Sequence, residues 1–393
     1  MKDARFPEHR LKVRDMSTQE DFRMLVLGDS VLSGVGLRNE NKIHSKIVRW
    51  LETEVFKESR RAVKALVLAH SGARIQPAFD RKKRLLPAAG SPEIASSNPS
   101  ILSQIDLAAE ACTRQGASPD KIELIIVNGG ANDLQIHNLL VMVVPNRRII
   151  SKAGKVCYES MLVALEKMAG TFPNALIMIP GYYQLISKET QAVELPKSLF
   201  GLVGLRKLGT IVHTLFFRIH SVRDVLANRS VVWKEHSDLE LEAAVNQLNR
   251  THPFKNQSGQ TERPRAVFVP SPFKPENSYA APETHLWQLV GWGHSNDETR
   301  LEREQLCKLD RRKGFGYSLC KKGAFGHPNV HGAHAYFEAI KCKLAPMIEP
   351  SGWLEKSVNA AKRGITQKTR KIKALNAETA EKAKCSLPLC SLH

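Results

Sequence analysis

The amino-acid sequence predicts an α/β protein whose parallel sheet is covered by helices on both faces. Short continuous apolar runs recur along the chain, and each ends at turn-forming residues. Segments with helical apolar spacing alternate with these runs. With 393 residues, 42% hydrophobic and 25% charged, the chain can bury a full α/β core with insertions, or two domains.

Met24–Leu27 reads as the first strand and exits into Gly28-Asp29-Ser30. Ile43, Ile47, Trp50, Leu51 and Val55 recur at helical spacing. Val63–Leu68 is the second strand, followed by His70-Ser71-Gly72. A polar loop from Gly90 to Ser100 leads into a helix near Ile101–Thr113. Ile122–Val127 is the third strand and exits into Asn128-Gly129-Gly130-Ala131-Asn132-Asp133. Cys157, Met161, Leu165 and Met168 mark the next helix. Ala175–Ile179 is the fourth strand, stopped by Pro180-Gly181, and Ala266–Val269 is the fifth, stopped by Pro270. Ala333, Tyr336, Phe337, Ile340 and Leu344 mark a last helix.

These elements divide the chain into an N-terminal extension (1–21), an α/β domain (22–350) and a basic C-terminal tail (351–393). Tyr182 to Arg265 is too long for an ordinary strand-to-strand connection. It reads as a helical insertion, 182–265, in which Leu208, Ile211, Val212, Leu215, Ile219, Val222 and Leu226 share one helical face. A packed core helix is favoured there over a lid admitting lipid-like substrates.

The net charge is +19. From Lys356 to His393 there are nine Lys or Arg and two Glu, a net +7 by subtraction. The tail is poor in large apolar residues and is expected to be flexible and solvated. Such charge suits an anionic membrane surface; the lack of interleaved aromatic residues argues against a nucleic-acid platform. Seven cysteines without C-x-x-C spacing suggest reduced thiols and a cytoplasmic setting, with contact at a membrane confined to its surface. The N-terminus lacks the apolar core of a signal peptide, and no apolar run approaches the ~18 residues that span a bilayer.

Gly28-Asp29-Ser30 alone is more often a simple turn than a nucleophile site. Its position is what matters. In open α/β sheets, ligands bind at the carboxyl ends of the strands, where Ser30, Gly72 and Asn132 converge. A serine there can attack a carbonyl if a base and oxyanion donors are at hand. The N–H groups of Ser30 and Gly72 and the Asn132 amide are suitable donors, and the candidate base is His327, in His327-Pro328-Asn329. His327, His331 and His334 also have metal-ligand spacing, but no Glu follows His327, and Pro328 and Gly332 interrupt the helix. No metal and no cofactor is expected. Gly34 and Gly36 give G-x-G, but Asn39 breaks the dinucleotide fingerprint.

In these blocks the chain resembles the GDSL-type, or SGNH, hydrolase superfamily: Gly28-Asp29-Ser30, Gly72, Gly130-Ala131-Asn132-Asp133 and His327-Pro328-Asn329, in family order from about Met24 to Lys343. The resemblance implies a flavodoxin-like three-layer α/β/α fold with about five strands. It also implies hydrolysis of a small-molecule ester or thioester through an acyl-serine intermediate, with Ser30 and His327 catalytic and Ser30, Gly72 and Asn132 forming the oxyanion hole. One position departs. The family carries Asp three residues before the histidine, where this chain has Ala324. Asp297, Glu298 and Asp310 remain as donors of a third acid, or Ser30 and His327 act as a dyad. The alternative is a binding protein for an anionic membrane or nucleic acid on a degenerate hydrolase scaffold.

Overall fold

The computed structural model describes residues 21–77, 91–134, 145–191, 219–255, 261–290, 294–310 and 312–348. Five strands form a parallel sheet: β1 (Phe22–Leu27), β2 (Val63–Val67), β3 (Ile122–Val127), β4 (Leu176–Pro180) and β5 (Ala266–Val269). Their order is β2-β1-β3-β4-β5, the flavodoxin-like order. Leu25 at the middle of β1 pairs with Leu66 on one side and Ile125 on the other. All of β4 is buried, whereas β2, at the edge, exposes much of its length. Helices flank both faces, giving the expected three layers.

All five expected strands are present; β3 and β5 have the expected bounds, and β1, β2 and β4 differ by one or two residues at their ends. β1 starts at Phe22, because its N–H bonds the Ala62 carbonyl (2.8 Å) and carries the pairing back. β4 extends to Pro180, which sits opposite Val269. Proline is tolerated there because the strand ends at that residue.

α1 (Ser30–Ser33) turns directly off β1 and is followed by α2 (Ile43–Trp50). α3 (Ile101–Arg114) precedes β3, and the short α4 (Ala131–Leu134) follows it. α5 (Asn146–Ala153) runs through a π-helical turn at Gly154–Ser160 into α6 (Met161–Thr171). From the long insertion, Ile219–Thr251 forms one 33-residue helix, α7. It packs along α5, α6 and β5 and buries Leu226, Trp233, Leu241, Val245 and Leu248. Leu208, Ile211, Val212 and Leu215 lie outside the described residues. α8 (Arg300–Leu309), α9 (Gly314–Lys321) and α10 (Val330–Ile348) complete the chain's helices among the described residues. The chain divides into two compact units, 1–344 and 345–393, and the second is described only at the end of α10. None of the described helices is long and apolar enough to cross a membrane.

The all-thiol expectation is corrected. Cys307 on α8 and Cys320 on α9 are joined by a disulfide, while Cys112 and Cys157 are buried free thiols and Cys342 is exposed. The two bonded cysteines are 13 residues apart, a spacing that carries no pairing signal in sequence.

The β4–β5 neighbourhood is secured by Arg265. Its guanidinium donates to the carbonyls of Ala169 (2.9 Å), Phe172 (2.8 Å) and Pro173, closing the carboxyl end of α6, and lies over the Phe254 ring. Those carbonyls have no partner within the helix, and a cation there also meets the negative end of the helix dipole. Arg265→Met should therefore lower the unfolding free energy by about 3 kcal/mol, measured by urea denaturation. A change below ~0.5 kcal/mol would show that water replaces the guanidinium at little cost.

Candidate active site

At the exit of β1, where His70 N–H still reaches the Gly28 carbonyl (3.2 Å), side chains take over from the ladder. Gln104 on α3 brackets Gly28, accepting from its N–H (2.7 Å) and donating to its carbonyl (3.1 Å). Asn128 at the end of β3 does the same for Asp29, accepting from its N–H (3.1 Å) and donating to its carboxylate (2.9 Å). Gly28 has φ of +129°, and a Cβ there would lie 2.3 Å from the Asn128 side-chain oxygen. Only glycine fits that approach. Asp29 then caps α1, accepting from Val31 N–H (3.0 Å), so that Ser30 becomes the first residue of the helix.

His327 reaches Ser30 from the other end of the sequence. Its Nε2 lies 2.8 Å from Ser30 Oγ. With the ring proton on Nδ1, Ser30 donates to Nε2, the arrangement of a nucleophile with its base. The ring sits on a loop held on both sides. Trp287 N–H donates to the His327 carbonyl (2.8 Å), and Gly326 N–H donates to the Trp287 carbonyl (3.0 Å). Asn329 then opens α10, accepting from Gly332 N–H (3.0 Å). The segment from Asn277 to Trp287 supports this loop: Tyr279 packs on Phe325 and both Tyr279 and Trp287 are buried.

A cavity of about 430 Å³ opens beside the pair, and Ser30, Gly72, Asn132 and His327 all line it. Gly72 has φ of +82°, and a Cβ on it would meet the Ser96 backbone at 2.7 Å. Among the described residues, neither the Ser30 nor the Gly72 backbone N–H makes a hydrogen bond. Asn132 donates one amide hydrogen to the Ala73 carbonyl (3.0 Å), which fixes its orientation and leaves the second. Asp133 shapes its loop, accepting from Ile75 N–H (3.0 Å), and burial pushes its carboxyl up to about 6. The sequence-predicted residues are thus brought together around one cavity. A polarised hydroxyl and unspent N–H donors in a partly enclosed space are what acyl transfer needs.

The three carboxylates considered as a third acid are all engaged elsewhere. Asp297 pairs with Arg303. Glu298 accepts from Arg38 N–H (2.8 Å) and Asn41 Nδ2 (2.9 Å), and Asp310 pairs with Arg312. His327 Nδ1 is buried without a hydrogen bond; the Ala324 and Phe325 carbonyls approach the ring but close none of ordinary geometry. Burial lowers the His327 pKa most, and the Arg303 charge adds to that, against the opposing Asp29 charge and the two carbonyls. The other two histidines of the metal-like spacing diverge. His331 lies beside His285, and His334 faces Glu338. No group of three or more His, Cys, Asp or Glu side chains among the described residues is placed to hold a metal ion.

Several residues of the site give no sequence signal. Tyr182, just past β4, donates to the Asp29 carboxylate (2.6 Å) and accepts from Ala131 N–H (3.3 Å), tying three strand exits together. Tyr183, Leu185, Trp233 and Phe325 give the cavity an aromatic and aliphatic wall. Glu93 also lines the cavity; buried and raised in pKa by that burial, it accepts from Gly36 N–H and from Thr299 Oγ1 (2.8 Å) and lies 3.7 Å from Arg303. Only Tyr182 and Tyr183, next to a strand exit, could have been found by extending the exit rule to β4.

No family model matches the chain, and no curated protein matches it. Among solved structures, the chain is similar to an extracellular lipase from Streptomyces rimosus, with 12% identity and a TM-score of 0.42 over 82% of this chain and 99% of that one. A phospholipase A1 from Streptomyces albidoflavus NA297 gives 12% identity and a TM-score of 0.41 over the same shares. A family two carbohydrate esterase from Clostridium thermocellum gives 13% identity and a TM-score of 0.35 over 85% of this chain and 68% of that one. Scores this low carry nothing toward the activity, which is read from the residues themselves.

The fully buried Arg303 side chain holds Asp297 and Glu93 together behind the cavity. Arg303→Met should leave both carboxylates without their cation and cost about 3–5 kcal/mol in stability, by thermal or urea unfolding. Adding Asp297→Leu to that variant should recover part of the loss. No recovery would mean that Arg303 matters through packing alone.

Proposed function

We propose that the protein is a serine hydrolase that cleaves ester or thioester bonds through an acyl-serine intermediate. The observation that supports this reading is the 2.8 Å contact between Ser30 Oγ and His327 Nε2 at the mouth of a cavity lined by unspent N–H donors. His327 takes the hydroxyl proton as Ser30 attacks the carbonyl carbon. The N–H groups of Ser30 and Gly72 and the free amide hydrogen of Asn132 receive the oxyanion. His327 then protonates the leaving group and activates water for deacylation.

The aromatic and aliphatic wall of Tyr183, Leu185, Trp233 and Phe325 suits an apolar acyl group, so the reading extends to lipid-like esters. The net charge of +19 favours substrates presented at an anionic membrane surface. The rival reading, a binding protein on a degenerate scaffold, draws on the unpartnered Nδ1 of His327. Turnover that depends on Ser30 separates the two.

A fluorophosphonate should label Ser30, mapped by mass spectrometry, and Ser30→Ala should abolish hydrolysis of short-chain p-nitrophenyl esters while leaving the melting curve unchanged. Labelling at Ser33 or Ser71 would sink the assignment. Asn132→Ala should lower kcat roughly 100- to 1000-fold with a smaller effect on KM, because its amide meets charge that develops only in the transition state. A change confined to KM would assign Asn132 to ground-state binding.

The pH dependence follows from the lowered pKa of His327. The neutral ring is the active base, so activity should persist below the ordinary histidine value of ~6.5 and fall only as pH drops through the lowered value. An acid limb of kcat/KM at or above ~6.5 would contradict it.

A further inference from the structure

We propose that Asp29 supplies the negative charge that stabilises protonated His327, acting from beside the nucleophile and through the field rather than through a hydrogen bond to Nδ1. Asp29 is in this sense a positioning residue for charge in the serine–histidine pair. The inference rests on the hydrolase reading above and deepens it.

Four observations converge on it. Ala324 occupies the position from which the acid of the resembled family would reach Nδ1, and it carries no carboxylate. Ala324 is fully buried, and its Cβ lies 2.7 Å from where a Cβ on Gly36 would stand. The three candidate third acids, Asp297, Glu298 and Asp310, are committed to Arg303, to Arg38 and Asn41, and to Arg312. Asp29 itself is buried, and its carboxylate faces donors: Val31 N–H, Asn128 Nδ2 and the Tyr182 hydroxyl. Three donors suit a carboxylate, which is acceptor-only when ionised. Finally, Asp29 adjoins Ser30 in the chain and lines the same cavity as His327. Of the influences that raise the His327 pKa, its charge is the largest.

A proton passing from Ser30 to His327 places a positive charge on a buried ring. Without a counter-charge, desolvation opposes that transfer. A fixed anion nearby offsets the cost without touching the ring, so the missing acid need not be replaced where the family has it. The other charged or titratable groups lining the cavity are Glu93 before α3, Tyr182 and Tyr183 after β4 and Arg312 before α9; outside its lining, the charge of Arg303 on α8 bears on His327, and Asp29 and Asp133 on α4 feel each other's charge.

The test compares Asp29→Asn with the unmodified chain. Asparagine keeps the size and one acceptor oxygen for Val31 and Asn128 but removes the charge. The rate of Ser30 phosphonylation by a fluorophosphonate is followed against pH, alongside kcat and KM for a p-nitrophenyl ester. The acid limb should move down by about one pH unit, and the plateau rate and kcat should fall about tenfold, with KM within threefold. A role confined to capping α1 would lower the rate without moving the limb, and that outcome overturns the proposal. A faster plateau would show that the charge acts chiefly against the oxyanion and overturns it as well. Should Asp29→Asn fail to fold, proton NMR of the unmodified protein at low pH decides the matter. The proposal expects no strongly downfield Nδ1–H resonance from His327, and its presence would reveal a carboxylate bonded to the ring. If Ser30 is not labelled in the unmodified chain, the hydrolase reading falls and this inference with it; labelling with an unmoved limb removes this inference alone.

Discussion

The carboxyl end of a parallel strand presents N–H and C=O groups that the ladder no longer satisfies, and buried polar groups of that kind must find partners. In this protein Gln104 and Asn128 provide them at the end of β1. Each side chain makes a two-point contact, so the backbone from Gly28 to Asp29 has one conformation available. The helix that starts at Ser30, the capping by Asp29 and the reach of Tyr182 all follow from that fixed exit. Either amide shortened by one methylene would misplace a hydroxyl whose use depends on a 2.8 Å contact.

A second constraint is the balance of buried charge. The site region buries Asp29, Glu93, Asp297 and Arg303. Arg303 answers Asp297 and Glu93, and neutral donors answer Asp29. The division matters for the imidazole between them. The Arg303 charge discourages protonation of His327, and the Asp29 charge favours it. Burial adds to the first, and the ring is held neutral and ready to accept a proton.

Much of this was legible in the sequence because strand exits announce themselves. Apolar runs that stop at glycine, asparagine or proline located four strands, the run before His70-Ser71-Gly72 located β2, and β3 and β5 agree residue for residue. Ser30, Gly72, Asn132 and His327 were found by the same rule together with family order, and they line one cavity. What escaped were residues whose role depends on a distant partner. Gln104 looks like an ordinary polar position on α3 yet is completely buried, since Gly28 lies 76 residues away in sequence. Glu93 sits in a polar loop that reads as solvent-facing, and Gly36, Thr299 and Arg303 draw it inside.

The Cys307–Cys320 crosslink bears on how this architecture opens. α8 and α9 form a small outlying cluster with Ile94, Leu306 and Tyr317, with little apolar surface of its own. Units of that kind are the first to detach in native-state fluctuations. Closing a loop of this length removes on the order of 3 kcal/mol of chain entropy from the opened form. The hairpin that leads into the His327 loop is thereby drawn from the rare-opening end of the protein's fluctuations. Amide exchange in α8 and α9 is accordingly tied to the oxidation state of two sulfur atoms, one of which lines the same cavity as Ser30.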